Sequence, residues 1–128
     1  MKTRLLLLLT ALVTMSLQTF AGGFTIYLDT PSGTFTSSDY PEIKSGTVTW
    51  DATTRILTLD NVTIEFTGMG NDFDLRGDRD TTIKLIGNNS IVSADYVAFY
   101  DHISDSKTLT ITSDDGQGTL TCEGWSGI

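Results

Sequence analysis

The sequence predicts an all-β solenoid, and three observations carry that prediction. Leu57-Thr58-Leu59, Ile83-Lys84-Leu85 and Leu109-Thr110-Ile111 recur at one constant spacing, the step from Leu57 to Ile83 equalling that from Ile83 to Leu109. Each triplet alternates apolar, polar, apolar, which is the two-residue period of a strand. Each is followed by turn residues: Asp60-Asn61, Gly87-Asn88 and Ser113-Asp114. A short strand returning at a fixed period of about 20–50 residues is the signature of stacked repeats, because one unit cannot bury its apolar side alone.

The elements follow in order. Residues 1–21 read as an export signal, with the basic start Met1-Lys2-Thr3-Arg4, an apolar run from Leu5 to Leu17 and Thr19-Phe20-Ala21 as a small-x-small cleavage site. The run from Leu5 to Leu17 is short for a bilayer span. Residues 22–45 read as an N-terminal cap: Phe24, Ile26 and Leu28 alternate, and a Ser/Thr-rich loop holding both prolines, Pro31 and Pro41, follows. Residues 46–128 read as the repeating body. Val48 and Trp50 alternate there, and Asp51-Ala52-Thr53-Thr54 is a turn. Leu57, Leu59, Val62 and Ile64 complete the first unit. Phe73, Leu75, Ile83, Leu85 and Ile91 form the second. Val97, Phe99, Leu109, Ile111, Leu120 and Cys122 form the third. In this frame Ile83 stacks between Leu57 and Leu109, and Leu85 between Leu59 and Ile111. Asn61 and Asn88 hold equivalent corners, where asparagine tolerates left-handed backbone and bonds the next turn. The units stack into about three to four turns behind an N-terminal cap strand.

Composition narrows the partners. The expected mature chain starts at Gly22 and loses Lys2 and Arg4, so its net charge is two units more negative than the −8 of the full sequence. That balance opposes nucleic acid and anionic membranes, and no membrane span is expected after signal cleavage. Cys122 is the single cysteine, so no internal disulfide staples the fold. Its alternation with Leu120 places it as a small apolar residue.

The stretch GTVTWDATTRILTLDNVTI, residues 46–64, resembles a family of secreted bacterial carbohydrate-binding domain-containing proteins. Their phrase is G-x-V-x-Y-D-x-x-T-x-x-L-T-L-x-N-A-T-I, followed by TI-x-L-x-G-x-N-x-I. TTIKLIGNNSI, residues 81–91, matches the second phrase, and LTITSDDGQGTLT, residues 109–121, a third. Trp50 replaces the usual Tyr. The resemblance implies a right-handed parallel β-helix similar to pectate lyases, extracellular glycan binding, and in some members calcium. The matching phrases are core and corner, so the resemblance transfers no binding residue. It also implies a longer chain, since a further unit would start at Trp125.

Three candidate sites follow from the residues. Asp72, Asp74, Asp78 and Asp80 lie close together in one short stretch, and calcium takes about 6–8 oxygens. Alternation puts Asp72 and Asp74 outward, opposite Phe73 and Leu75. Arg76 breaks an EF-hand pattern, and the bland alternative is a solvated loop whose arginines pair with its own aspartates. Arg76-Gly77-Asp78 also spells an integrin-type tripeptide, a match that recurs by chance. Tyr96, Tyr100 and Trp125 are the candidate glycan-stacking aromatics, against the alternative that they pack. Arg76, Arg79 and Lys84 are candidates for lyase chemistry on a uronate, which the net negative charge opposes. His102 reads as a surface-loop histidine. Asn61 and Asn88 begin N-glycosylation patterns that carry no weight in a chain of bacterial style. The reading is a non-catalytic binder of extracellular polysaccharide or an adhesin-like scaffold, with calcium as candidate cofactor. A structural solenoid with a protein partner and a lyase-like enzyme are the alternatives.

Overall fold

The computed structural model describes the backbone of Phe24–Tyr27 and all of residues 30–68 and 72–125. The predicted export signal, residues 1–21, lies outside the described residues. Among the described residues there are ten strands: β1 (Phe24–Tyr27), β2 (Gly33–Phe35), β3 (Ile43–Asp51), β4 (Ile56–Phe66), β5 (Phe73–Gly77), β6 (Thr81–Ile86), β7 (Asn88–Ser93), β8 (Phe99–Ile103), β9 (Leu109–Thr112) and β10 (Thr119–Glu123). The fold is all-β. One sheet is the parallel set β1–β5–β8. The other is mixed. Its centre is β4, whose first half pairs in parallel with β6, and β6 with β9. The second half of β4 pairs in parallel with β7, and β7 with β10. On its other side β4 carries β3 and then β2, both antiparallel.

Alternation of side chains builds the core. Leu57, Leu59, Val62 and Ile64 on β4 are fully buried, as are Phe73, Leu75, Ile83 and Ile91. Each fully buried aliphatic side chain of this size contributes about 1.5–3 kcal/mol relative to exposure. Core residues of neighbouring parallel strands pair directly: Leu57 with Ile83, Ile64 with Ile91, Ile91 with Cys122 and Phe73 with Phe99. The rings of Phe73 and Phe99 stack at 5.4 Å.

The constant spacing fails at the third pass. Ile83 pairs with Ile111 rather than with Leu109, and Leu109 pairs instead with Thr81. Asn88 pairs with Thr119, further along the chain again. Two residues are inserted in the corner after β8 and three more in the corner after β9. Insertions collect in corners because a single residue added inside a strand would turn its whole apolar face outward. Gly46 lies inside β3, which runs antiparallel to β4 up to Asp51. Trp50 is fully buried there, with its Nε1 donating to the Thr30 carbonyl at 2.9 Å.

One corner is tied by three residues. Asn61 has φ 47°, as its type allows. Gly87 has φ 65°, a left-handed conformation that favours glycine, and a Cβ on it would lie 2.1 Å from Asn61 Oδ1, displacing that side chain. Asn89 is buried at 2 % exposure. Its Oδ1 accepts from Val62 N at 3.0 Å on the first pass. Its Nδ2 donates to the carbonyls of Ile86 and Gly87 on its own pass and of Thr119 on the next, at 3.1–3.3 Å. Two hydrogens shared over three acceptors saturate the amide.

Among the described residues β8, β9 and β10 each have a single strand partner. Ile111 is 46 % exposed although Leu57 and Ile83 in its row are at 0 %. Cys122 is half-buried against the core, and burial pushes its thiol pKa up.

Asn89→Ala removes the partner of a buried N–H and of part-buried carbonyls, so it is expected to destabilise the fold by about 2–4 kcal/mol. Asn88→Ala, at an exposed position one residue away, is expected to change stability by less than about 0.5 kcal/mol. Urea unfolding of the two variants measures the contrast, and equal losses would refute the assignment of the tie to Asn89.

Candidate functional site

The outer face of β5 and β8 holds a bonded cluster of polar side chains. Alternation on β5 turns Phe73 and Leu75 into the core and Asp74 and Arg76 to the opposite face. Parallel pairing then aligns Asp74 with Tyr100 and Arg76 with His102. The four side chains form a two-by-two patch across neighbouring strands, which lie about 4.8 Å apart.

Asp74 is the hub of this patch. It faces away from the core, as alternation predicts, yet it is only 2 % exposed. Its Oδ2 accepts from Arg76 Nε at 2.6 Å and Arg76 Nη2 at 2.5 Å. Its Oδ1 lies 2.9 Å from His102 Nδ1. A carboxylate oxygen accepts only, so Nδ1 donates to it, and Nε2 is the ring nitrogen that Asp74 does not engage. The Tyr100 ring stacks on the His102 ring at 4.2 Å and 17°. A buried carboxylate held by two donors from two passes is far more constrained than an exposed ion pair. His102 therefore belongs to a strand and to a bonded cluster, not to a surface loop. The offset that aligns Phe73 with Phe99 also aligns Arg76 with His102, and that offset is the sequence signal for the pair.

Asp72 stands just before β5 and is half-buried. Burial raises its carboxyl pKa above the usual 3.8, the nearby Asp74 charge raises it further, and the charges of Arg76 and His102 oppose the rise.

The four candidate calcium ligands divide between two places. Asp72 and Asp74 lie on or beside β5. Asp78 and Asp80 are exposed on the corner between β5 and β6. Asp80 Oδ1 accepts from Thr108 N at 2.8 Å, which ties that corner to the one before β9. Among the described residues no three His, Cys, Asp or Glu side chains converge on a point that could hold a metal ion. Both oxygens of Asp74 are engaged by Arg76 and His102. Two of the candidate lyase cations are likewise paired: Arg76 with Asp74, and Lys84 with Asp114. Arg79 is exposed on the corner.

The candidate aromatics also separate. Tyr100 is 37 % exposed on the patch, and Trp125 is 87 % exposed just beyond β10. Tyr96 is half-buried, and its carbonyl accepts from Trp125 N at 3.0 Å. Tyr96 and Trp125 thus meet through the backbone at the corner before β8, while Tyr100 stands on the strand itself.

The raised pKa of Asp72 has a defined consequence for stability. Its ionised form is less favourable folded than unfolded. The penalty is absent below the ordinary 3.8 and complete once pH exceeds the raised value. Asp72→Asn is therefore expected to be more stable than the parent at pH 7, with the difference vanishing as pH falls through the raised value towards 3.8. Thermal melts across pH 3–7 read this directly, and a difference constant with pH would contradict it. No family model, curated protein or solved structure matches the chain, so the chemistry of the patch is read from its own residues.

Proposed function

We propose that the protein is an exported, non-catalytic carbohydrate-binding or adhesin-like module, built as a short right-handed parallel β-helix behind a β2–β3 cap. The strand pairings support the coil reading. β5, β6 and β7 make one pass, β8, β9 and β10 the next, and each strand lies parallel to its equivalent. The likeness of residues 46–64 and 81–91 to the secreted family supports the same reading. Residues 1–21 supply the export signal.

The observation that carries the functional reading is the exposed aromatic surface of Tyr100 beside a fixed set of hydrogen-bonding groups on a rigid sheet. Apolar faces of sugar rings stack on aromatic rings, while sugar hydroxyls need oriented donors and acceptors. Trp125 offers a second exposed ring. One observation favours the scaffold alternative, with a protein partner: β8, β9 and β10 each have a single strand partner among the described residues, and Ile111 is 46 % exposed.

Screening the purified chain on a glycan array, with and without EDTA, tests the reading. Binding is expected, and it is expected to survive EDTA because the carboxylate at the centre of the patch is already held by Arg76 and His102. Binding lost in EDTA would restore calcium as a cofactor. A blank array from a folded protein would favour the scaffold, and an unsaturated product from polygalacturonate would favour a lyase.

A further inference from the structure

Resting on the glycan-binding reading above, we propose that the outer face of β5 and β8 is the sugar-contacting site and that it takes a neutral saccharide. The ring of the sugar lies on the exposed surface of Tyr100, and one of its hydroxyls pairs with His102 Nε2. Asp74 and Arg76 are positioning residues.

The geometry supplies both halves of such a contact. Tyr100 is held in place by its stack on His102 at 4.2 Å, so little rotamer freedom remains to be lost when a ligand arrives. His102 is in turn held by Asp74, whose Oδ1 accepts from Nδ1 and leaves Nε2 as the ring nitrogen that this contact does not engage. The His102 side chain is 44 % exposed. A sugar hydroxyl both donates and accepts, and therefore matches this nitrogen in either protonation state.

Charge selects the class of sugar. The patch holds the carboxylates of Asp72 and Asp74 against the guanidinium of Arg76. The Arg76 fork is directed at Asp74. The Asp74 charge already opposes ionisation of Asp72. A ligand carboxylate brought to the same place meets the same field, in a chain whose net charge is −8. A neutral ring does not.

The test is a calorimetric titration of the full chain with neutral oligosaccharides (gluco-, manno-, galacto- and xylo-configured) and with oligogalacturonate as the acidic counterpart. His102 is the single histidine, so its ring nitrogens give an unambiguous nitrogen NMR signature. A neutral sugar is expected to bind, to shift the His102 Nε2 resonance, and to lose about tenfold in affinity or more with Tyr100→Ala and with His102→Ala. Tyr100→Phe is expected to bind as the parent does. Asp74→Asn is expected to change the ratio of His102 tautomers along with affinity, a change that packing alone would not produce. If that variant fails to fold, His102→Gln, which keeps a polar group at the site, is expected to recover part of the loss in His102→Ala. Sugar binding that Trp125→Ala abolishes and the Tyr100 and His102 variants leave intact would overturn this site while sparing the glycan reading. Tighter binding of oligogalacturonate would overturn the neutral class. Absence of binding to every sugar by the folded parent would overturn the reading beneath it.

Discussion

The side chain of Asn89 is the constraint on which the stacking depends. A parallel ladder satisfies backbone groups along strands, but at a corner the chain turns and the ladder is interrupted. Buried polar groups left there are costly. Asn89 fills that gap from the inside, reaching Val62 on the pass before it and Thr119 on the pass after. Its polar contacts span three passes with one buried amide. Gly87, which can approach the Asn61 side chain because it has no Cβ, lets the neighbouring passes close to that distance.

With the corner held, the spacing of neighbouring strands is set by the backbone ladder rather than by loop length. The rows through Leu57 and Ile83, and through Phe73 and Phe99, are strand neighbours at the ordinary sheet distance. Loops are free to differ. The corner after β9 carries three additional residues, and it is closed locally by Ser113 Oγ, which accepts from Gly118 N at 2.9 Å. Asp115 pins the same turn, and its pKa is lowered by hydrogen bonds from Gln117 and Ser113. Such corners can vary while the strands keep their face.

The outer patch follows from the same register. Asp74 and His102 are distant in sequence, and neither has a local reason to pair. Once β5 and β8 lie side by side, Asp74 lies diagonally across from His102 and is shielded from water. A carboxylate so placed needs charge-assisted partners. Arg76, two residues along on the same face, provides one from its own strand, and His102 the other from the neighbouring strand. The aromatic stack of Tyr100 then rests on a side chain that cannot drift. Rigidity of the aromatic surface is thus a consequence of electrostatics beneath it.

Much of the strand content was legible without coordinates. Period-two alternation marked Leu57, Leu59, Phe73, Leu75, Ile83 and Leu85 as inward, and all six are buried. Alternation is a local property of a strand with one buried face, so local sequence carries it. The spacing that aligns Leu57 with Ile83 was also readable, because both triplets open the same stretch of successive passes. The antiparallel course of β3 was not: Val48 and Trp50 alternate identically in either direction. Nor was the slip that seats Ile111 rather than Leu109 on Ile83, since corner insertions leave no periodic trace. The pairing of Asp74 with His102 was likewise decided in three dimensions. Inward-facing side chains are thus encoded locally, residue by residue. Strand direction, register and the electrostatic patch arise when separate passes meet, because those contacts join residues whose separation no local pattern encodes.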